Sequence, residues 1–213
     1  MVSSLYPVHE RVQIKIDMTI KKLFPVHVLI QDDVLEDSLN DELTVVISAI
    51  QAQHATSQSK FIDDEVSLFT QSNLELFPSL LKLIDVFTSG FFELATTFEN
   101  NTLTRDDIES KVRQHMVKLP FMQSGDYKRI HNHIKSSAHA ILYLSDVDNA
   151  RHGGQLILHD PAFHSNYEFR NPSTYAINTT RNRLIVSPSY IWHEVTPYTG
   201  SVTRMAVVMN LDL

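Results

Sequence analysis

Two histidines one residue apart, His131 and His133 in the triplet HNH, are answered near the end of the chain by His193 in Trp192-His193-Glu194 and then by Arg204. Positions two apart on a strand point to the same face, so a strand through the triplet would aim both imidazoles at one metal ion. A structural zinc site needs four protein ligands, usually including thiolates, and the chain contains no cysteine. The pattern therefore points to a catalytic metal with open coordination positions, which suits iron(II) held by a few facial ligands. Asp126 and Asp160 are carboxylates that could replace His133 as the third ligand, although their spacing is less favourable.

Arg204 gives the second half of the chemistry. If Ile191 to Asn210 folds as a hairpin about Tyr198 to Gly200, pairing about the Tyr198/Thr199 midpoint sets His193 opposite Arg204, about 5 Å apart at Cβ. A small dicarboxylate could then chelate the metal at one end and meet at the other a guanidinium, whose planar fork grips a carboxylate with two charge-assisted bonds. Glu194 and Trp192 should face away from His193, with Trp192 packed under the N-terminal helices. His139, His152, His159 and His164 read as structural or substrate-side, with His159 the best placed to face the cavity; His9, His27, His54 and His115 carry no recognisable spacing. Val186, Ile191, Val195, Leu156 and Leu158 are available as an apolar lining.

The elements that must position these groups fall into two halves. Strand-like alternation covers Val12 to Met18, and a second strand covers Leu23 to Ile30. Helical spacing of aliphatic residues then runs from Asp33 to about His54 and from Asn73 to about Phe98, the latter dense enough to lie buried against a sheet. From Val112 onward short β-type runs follow one another: Val112 to Leu119, Tyr127 to Ile134, Ala138 to Ser145, Gln155 to His159, Arg183 to Ser187, Tyr190 to Thr196 and Thr203 to Asn210. Turn residues separate them, among them Ser124-Gly125-Asp126, Asp146 to Gly154 and Tyr198-Thr199-Gly200. Helices first and strands afterwards predict a mainly β fold, a sandwich or barrel with the helices packed outside.

With 213 residues the chain is expected to form a single domain, with N-terminal strands and bracing helices over 1–110 and the metal-bearing β core over 111–213. A net charge of -7 without a Lys/Arg cluster argues against nucleic acid as a partner. The sequence shows no signal-peptide pattern and no run of about 18 apolar residues, so a soluble, cytoplasmic protein without membrane association is expected. The acidic, helix-bearing first third offers a surface for a homodimer.

The order of HNH, Ala140-Ile141-Leu142-Tyr143-Leu144-Ser145, Gly153-Gly154-Gln155-Leu156 with Asp160-Pro161, Ser187-Pro188 before His193, and Arg204 ahead of Asn210 resembles the iron(II)- and 2-oxoglutarate-dependent oxygenases. The likeness is to their prolyl-hydroxylase-like branch, and within it to a group of oxygenases with a His-any-His motif just before a "YL" strand; it covers roughly residues 110 to 213. The resemblance implies a double-stranded β-helix (jelly-roll) and a dioxygenase that uses molecular oxygen to hydroxylate a C–H bond of an amino acid, a peptide or protein side chain, or a small metabolite. It further implies His131 and His193 as iron ligands, Arg204 on the distal carboxylate of 2-oxoglutarate, and Tyr143 adding a hydroxyl to that carboxylate. His133 departs from the family pattern, which usually has Asp or Glu there, and three histidines can still form a facial site. Ala206 is a second departure, standing where many relatives carry a hydroxyl. Two other classes compete: a cupin-like metal dioxygenase that does not use 2-oxoglutarate, and a non-catalytic jelly-roll binding protein.

Overall fold

The computed structural model of the chain describes residues 18–23, 26–54, 65–98, 100–161 and 174–213. The strand expected over Val12 to Met18 lies outside these residues except for its last position, as do His9 and His164. The N-terminal part contributes β1 (Met18–Leu23), β2 (Val26–Gln31), α1 (Asp37–His54), β3 (Glu65–Val66), α2 (Gln71–Leu76), α3 (Leu80–Ala95) and α4 (Arg105–Gln114). Then come β4 (Val117–Lys118), β5 (Phe121–Met122), β6 (Lys128–His131), β7 (Ala138–Tyr143), α5 (Asn149–His152) and β8 (Leu156–His159). The chain closes with β9 (Thr174–Ile177), β10 (Leu184–Pro188), β11 (His193–Val195) and β12 (Arg204–Leu211).

The strands form two antiparallel sheets. The larger runs β1-β2-β10-β7-β12-β4-β3, with β5 also paired to β12, and the smaller runs β6-β11-β8-β9. From β6 to β12 the chain passes repeatedly between the sheets, which winds it into a double-stranded β-helix, the jelly-roll. Alternation along the large sheet decides what each residue meets. Ala138, Ala140 and Leu142 of β7, Leu184 and Val186 of β10, and Met205, Val207 and Met209 of β12 join α1 and α3 in one buried cluster. The intervening Ile141, Tyr143, Ile185 and Ala206 face the small sheet's Leu156, Leu158, Ile177 and Val195 in a second. The helices therefore brace one face of the large sheet, as expected, and leave the other face for the site. Among the described residues no helix is long and apolar enough to cross a membrane.

Several local expectations are corrected. The helix expected from Asn73 to Phe98 is two helices, since Phe77 precedes Pro78 and the proline ring disfavours helical geometry there; Phe77 sits at φ -132°, ψ 78°. The strand expected from Val112 to Leu119 begins inside α4, which runs to Gln114, and pairs as a strand only at Val117 and Lys118. A capping box decides this: Thr104 accepts from the Asp107 amide while the Asp107 carboxylate accepts from the Thr104 amide, and Lys111 and Arg113 sit in the last turn. The single strand expected over Leu23 to Ile30 is interrupted, because β1 ends at Leu23 and β2 begins at Val26.

The hairpin expected from Ile191 to Asn210 does not form. β11 pairs with β6 and β8 in the small sheet, whereas β12 pairs with β7, β4 and β5 in the large one. The connection spends its backbone bonds on other loops: Tyr198 donates to the Asp126 carbonyl and accepts from the Gly125 amide, and Thr199 donates to the His152 carbonyl. The Tyr198 ring is buried, its hydroxyl donates to the Val202 carbonyl, and it packs so tightly on Gly200 that no side chain fits there. A wide crossing between sheets results, with the ends of β11 and β12 on opposite walls of one cavity. Trp192, expected under the helices, is 38% exposed. It lies on the outer face of the small sheet, which the helices do not cover.

Candidate metal centre and carboxylate pocket

His131 ends β6 and is paired in register with His193 of β11, so adjacent antiparallel strands supply the first two imidazoles. His133 lies beyond the end of the strand. Its amide donates to the Ser189 carbonyl at 2.8 Å, and its carbonyl accepts from Ser136 at 2.9 Å. The triplet thus converges through a turn that bends back, rather than through the same-face geometry of a strand. The ligand atoms of His131, His133 and His193 all lie within 4.8 Å of one another, close enough to hold one metal ion. No carboxylate joins this cluster among the described residues, and neither Asp126 nor Asp160 is part of it. Asp126 instead accepts from the Gln123 amide at 2.8 Å.

The tautomers are set from behind. Nδ1 of His131 donates to the Arg129 carbonyl at 2.7 Å, and Nδ1 of His193 donates to the Ile191 carbonyl at 3.0 Å. A carbonyl can only accept, so each ring keeps its lone pair on Nε2, where a metal would use it. Burial, with the charge of His131 behind it, pushes the His193 pKa down to about 3. The donor set therefore fits a divalent ion of the iron(II) type bound by imidazole nitrogen.

A fourth imidazole completes the group. His139 on β7 is buried and stacks on the His133 and His193 rings at centroid distances of 4.4 and 4.8 Å. Its Nδ1 is 2.7 Å from Asn210 Oδ1 on β12, while its buried Nε2 has no hydrogen-bond partner among the described residues. Burial first, then the charges of His193 and His133, hold its pKa well below the ordinary histidine value. Sequence reasoning preferred His159 for the cavity face. His159 lies instead on the outer face of its strand, with Nε2 3.3 Å from Glu194 Oε1. The overlooked signal is period two: His139, Ile141 and Tyr143 alternate along β7, so a cavity-facing Tyr143 implies the same for His139.

Arg204 opens β12 and is only 3% exposed, on the wall across from His193. Nε donates to Thr179 Oγ1 at 3.1 Å, Nη2 to the Tyr143 hydroxyl at 3.2 Å and Nη1 to Met122 Sδ at 2.9 Å. Its guanidinium carbon stands 4.9 Å from the Tyr143 ring centroid. Burial raises the Tyr143 pKa against the opposing pull of Arg204, and the phenol stays protonated. Among the described residues Arg204 has no carboxylate partner. Thr179, which the sequence did not single out, is itself held: its hydroxyl donates to the Gly154 carbonyl and its amide donates to Asn149 Oδ1. Gly153 at φ +66° and Gly154 at φ +75° make this approach possible, since a Cβ on Gly153 would lie 2.2 Å from the Pro197 carbonyl oxygen.

The histidines and Arg204 line one cavity of about 450 Å³, within the size range of small-ligand sites. Its apolar lining is Met122, Ile141, Leu156, Val195, Ala206 and Val208 with Pro120. Of the expected lining, Leu156 and Val195 are present, whereas Val186 packs toward the helices.

Comparison with known proteins agrees with this geometry. Residues 119–210 match the family model described as "Putative 2OG-Fe(II) oxygenase". No curated protein matches the sequence. Among solved structures, the chain resembles a Pseudomonas putida prolyl-4-hydroxylase at a TM-score of 0.53 and 16% identity, over 90% of each chain. It resembles a prolyl 4-hydroxylase from Phytophthora capsici at 0.58 and 16%, over 87% of this chain and 58% of that one. A third likeness, at 0.56 and 14% over 87% and 83%, is to a Trichoplax adhaerens prolyl hydroxylase in complex with a hypoxia inducible factor oxygen degradation domain peptide fragment. At these identities the likeness is one of fold. The family match covers residues 119–210, so the jelly-roll half of this chain resembles the iron(II)- and 2-oxoglutarate-dependent oxygenases, on a fold shared with the prolyl hydroxylases.

Proposed function

We propose that this oxygenase hydroxylates a C–H bond of an amino acid, a peptide or protein side chain, or a small metabolite, with His131, His133 and His193 as its metal ligands and Arg204 as the anchor of 2-oxoglutarate. The observation that carries this reading is Arg204. A buried guanidinium without a carboxylate partner is costly unless an anion arrives to pair with it, and it shares its cavity with three convergent imidazoles. A dicarboxylate reaching from the imidazoles to Arg204 satisfies both.

When bound, iron(II) and 2-oxoglutarate supply the oxygen activation, coupling cosubstrate decarboxylation to oxidation of the substrate. The protein supplies position and dryness. His131 and His193 are held by their backbone carbonyl partners, so their lone pairs are aimed before any metal arrives. Thr179 and Tyr143 fix the guanidinium fork, and the Tyr143 hydroxyl beside it would share the distal carboxylate. Met122, Ile141, Leu156 and Val208 keep water away from the reacting carbon. The work of a single domain fits the way α1, α3 and the large sheet share one core.

The test is an anaerobic titration of apoprotein with iron(II) and then 2-oxoglutarate, following the visible metal-to-ligand charge-transfer band in wild type, His133→Ala and Arg204→Ala. The band should require both additions, weaken in His133→Ala and demand much more 2-oxoglutarate in Arg204→Ala. Tight iron binding with no band at any 2-oxoglutarate concentration would sink the proposal.

A further inference from the structure

The cavity that holds the imidazoles and Arg204 is also lined by Lys118, Lys128 and Arg129, and by no aspartate or glutamate among the described residues. This is unexpected in a chain with 25 acidic and 18 basic side chains. The three cations come from both walls. Lys118 belongs to β4 of the large sheet, where its neighbour Val117 faces the helices and Lys118 therefore faces the interior of the sandwich. Lys128 and Arg129 belong to β6 of the small sheet, next to His131. Lys118 is half-buried, and neither it nor Arg129 forms a side-chain ion pair or hydrogen bond among the described residues. Glu65 is opposite Lys118 in the strand pairing, yet no salt bridge forms between them.

A lysine on the inward face of a sheet opposes folding unless something offsets its charge. The cosubstrate cannot do so. On the reading above, one carboxylate of 2-oxoglutarate would lie at the metal held by the three imidazoles and the other would be received by Arg204. Ligating imidazoles are neutral, so a three-histidine shell brings no negative charge of its own, unlike a shell containing a carboxylate. Two positive charges on the metal and one on Arg204 already exceed the two negative charges of the cosubstrate. Lys118 remains to be matched, and Arg129 lines the same cavity from the exposed side of β6.

We infer that the substrate is a small anion, a carboxylate- or phosphate-bearing molecule whose charged group is received by Lys118 and Arg129, with Lys128 beside them, while its apolar part lies over Ile141, Leu156 and Val208 toward the metal. This inference rests on the function proposed above for the site and narrows its substrate class. The cavity's volume of about 450 Å³ and the overall net charge of -7 favour a small molecule over a polyanion, which needs an extended basic surface. The cations would both select the anion and steer it into the cavity, so binding should weaken with salt.

The test is calorimetric titration at low ionic strength of protein loaded with manganese(II) and saturating 2-oxoglutarate, using phenylacetate, the isosteric uncharged phenylacetamide and inorganic phosphate as probes. Phenylacetate or phosphate should bind in the millimolar range or tighter, and phenylacetamide at least tenfold more weakly. Lys118→Met and Arg129→Met should each weaken the anion by about tenfold, the loss of one charge-assisted contact, and should flatten the salt dependence. Preference for phosphate over phenylacetate, or the reverse, identifies which acid the site takes. Equal binding of acid and amide, anion binding indifferent to both substitutions, or no binding of either anion would overturn the inference. So would an acidic peptide that binds where the free anions do not. The charge-transfer titration, run on the same two variants, keeps the readings apart: an intact band with no anion preference removes the anionic substrate alone, whereas a missing band in wild type removes the site assignment beneath it.

Discussion

Arg204 carries a full charge inside a protein wall, and its surroundings explain why that is tolerated and what it is for. Thr179, Tyr143 and Met122 orient the guanidinium without neutralising it, so the site is ready for an anion at some expense of stability. Arg204→Met keeps the volume and removes the charge. It should leave the apoprotein unchanged or up to about 2 kcal/mol more stable in urea while weakening 2-oxoglutarate binding by at least tenfold. A large loss of stability without loss of 2-oxoglutarate binding would show that the residue is structural. The buried histidines make a second prediction. Both His139 and His193 have folded pKa values below the ordinary 6.5, His193 at about 3, whereas the unfolded chain takes up protons near 6.5. Their contribution is complete above about pH 6.5 and is lost as the pH falls from there toward 3. Metal-free wild type should therefore lose more stability than His139→Leu between pH 7.5 and 5, read from urea midpoints; parallel curves would contradict this.

At the scale of elements, the site depends on loops that cross between the sheets. The Gly153-Gly154 turn holds Thr179 against Arg204, and its backbone admits no side chain at the first position. Gly153→Ala combines a positive φ with a collision against the Pro197 carbonyl, and should cost about 2 to 4 kcal/mol. Because the turn is coupled to Thr179, the same substitution should weaken 2-oxoglutarate binding while leaving metal affinity near wild type, measured by titration of the folded fraction. Helix α3 shows the same economy of space on the other side of the large sheet. Gly90 lets it press onto β10, where a Cβ would stand 2.6 Å from Leu184 Cδ2 and 2.9 Å from Val186 Cγ2. These are ends of side chains that can yield, so Gly90→Ala should cost less than Gly153→Ala, about 0 to 2 kcal/mol once the helix preference of alanine is credited. Reversal of that order in denaturation midpoints would contradict this account of both contacts.

The whole molecule divides its labour by layer. Helices cover one face of the large sheet and make the dry core, and the other face with the small sheet makes the cavity. On the proposed function, metal and cosubstrate would bind the folded form alone, so each should raise the melting temperature, by the equivalent of about 2.7 kcal/mol at a hundredfold excess over its dissociation constant. A chelator should return wild type to the apoprotein value. Arg204→Met should keep the increment due to metal and lose the one due to 2-oxoglutarate; loss of both together would mean that the imidazoles and the arginine are not separable sites.

Period and order in the sequence were enough for β6, β7, β8, β10, β11 and β12 and for a buried helix at α3, because alternation and turn chemistry are local properties, whereas β9 was not anticipated. They also pointed to the ligand types proposed here: a chain without cysteine that sets a His-any-His triplet before a "YL" strand and an arginine after a further histidine offers imidazole rather than thiolate donors and a guanidinium for a carboxylate. Strand partners were not local. The expected hairpin placed His193 beside Arg204 by the shortest path. The chain brings them to one cavity by a crossing between sheets, held by bonds from Tyr198 and Thr199 to loops far away in sequence. Only tertiary structure could decide that. It likewise decided that His139 rather than His159 stands among the clustered imidazoles, that Trp192 is exposed, and that Lys118 and Arg129 line one cavity with the histidines. In each case the residue's neighbours come from strands distant in the chain, and only the packing of two sheets brings them together.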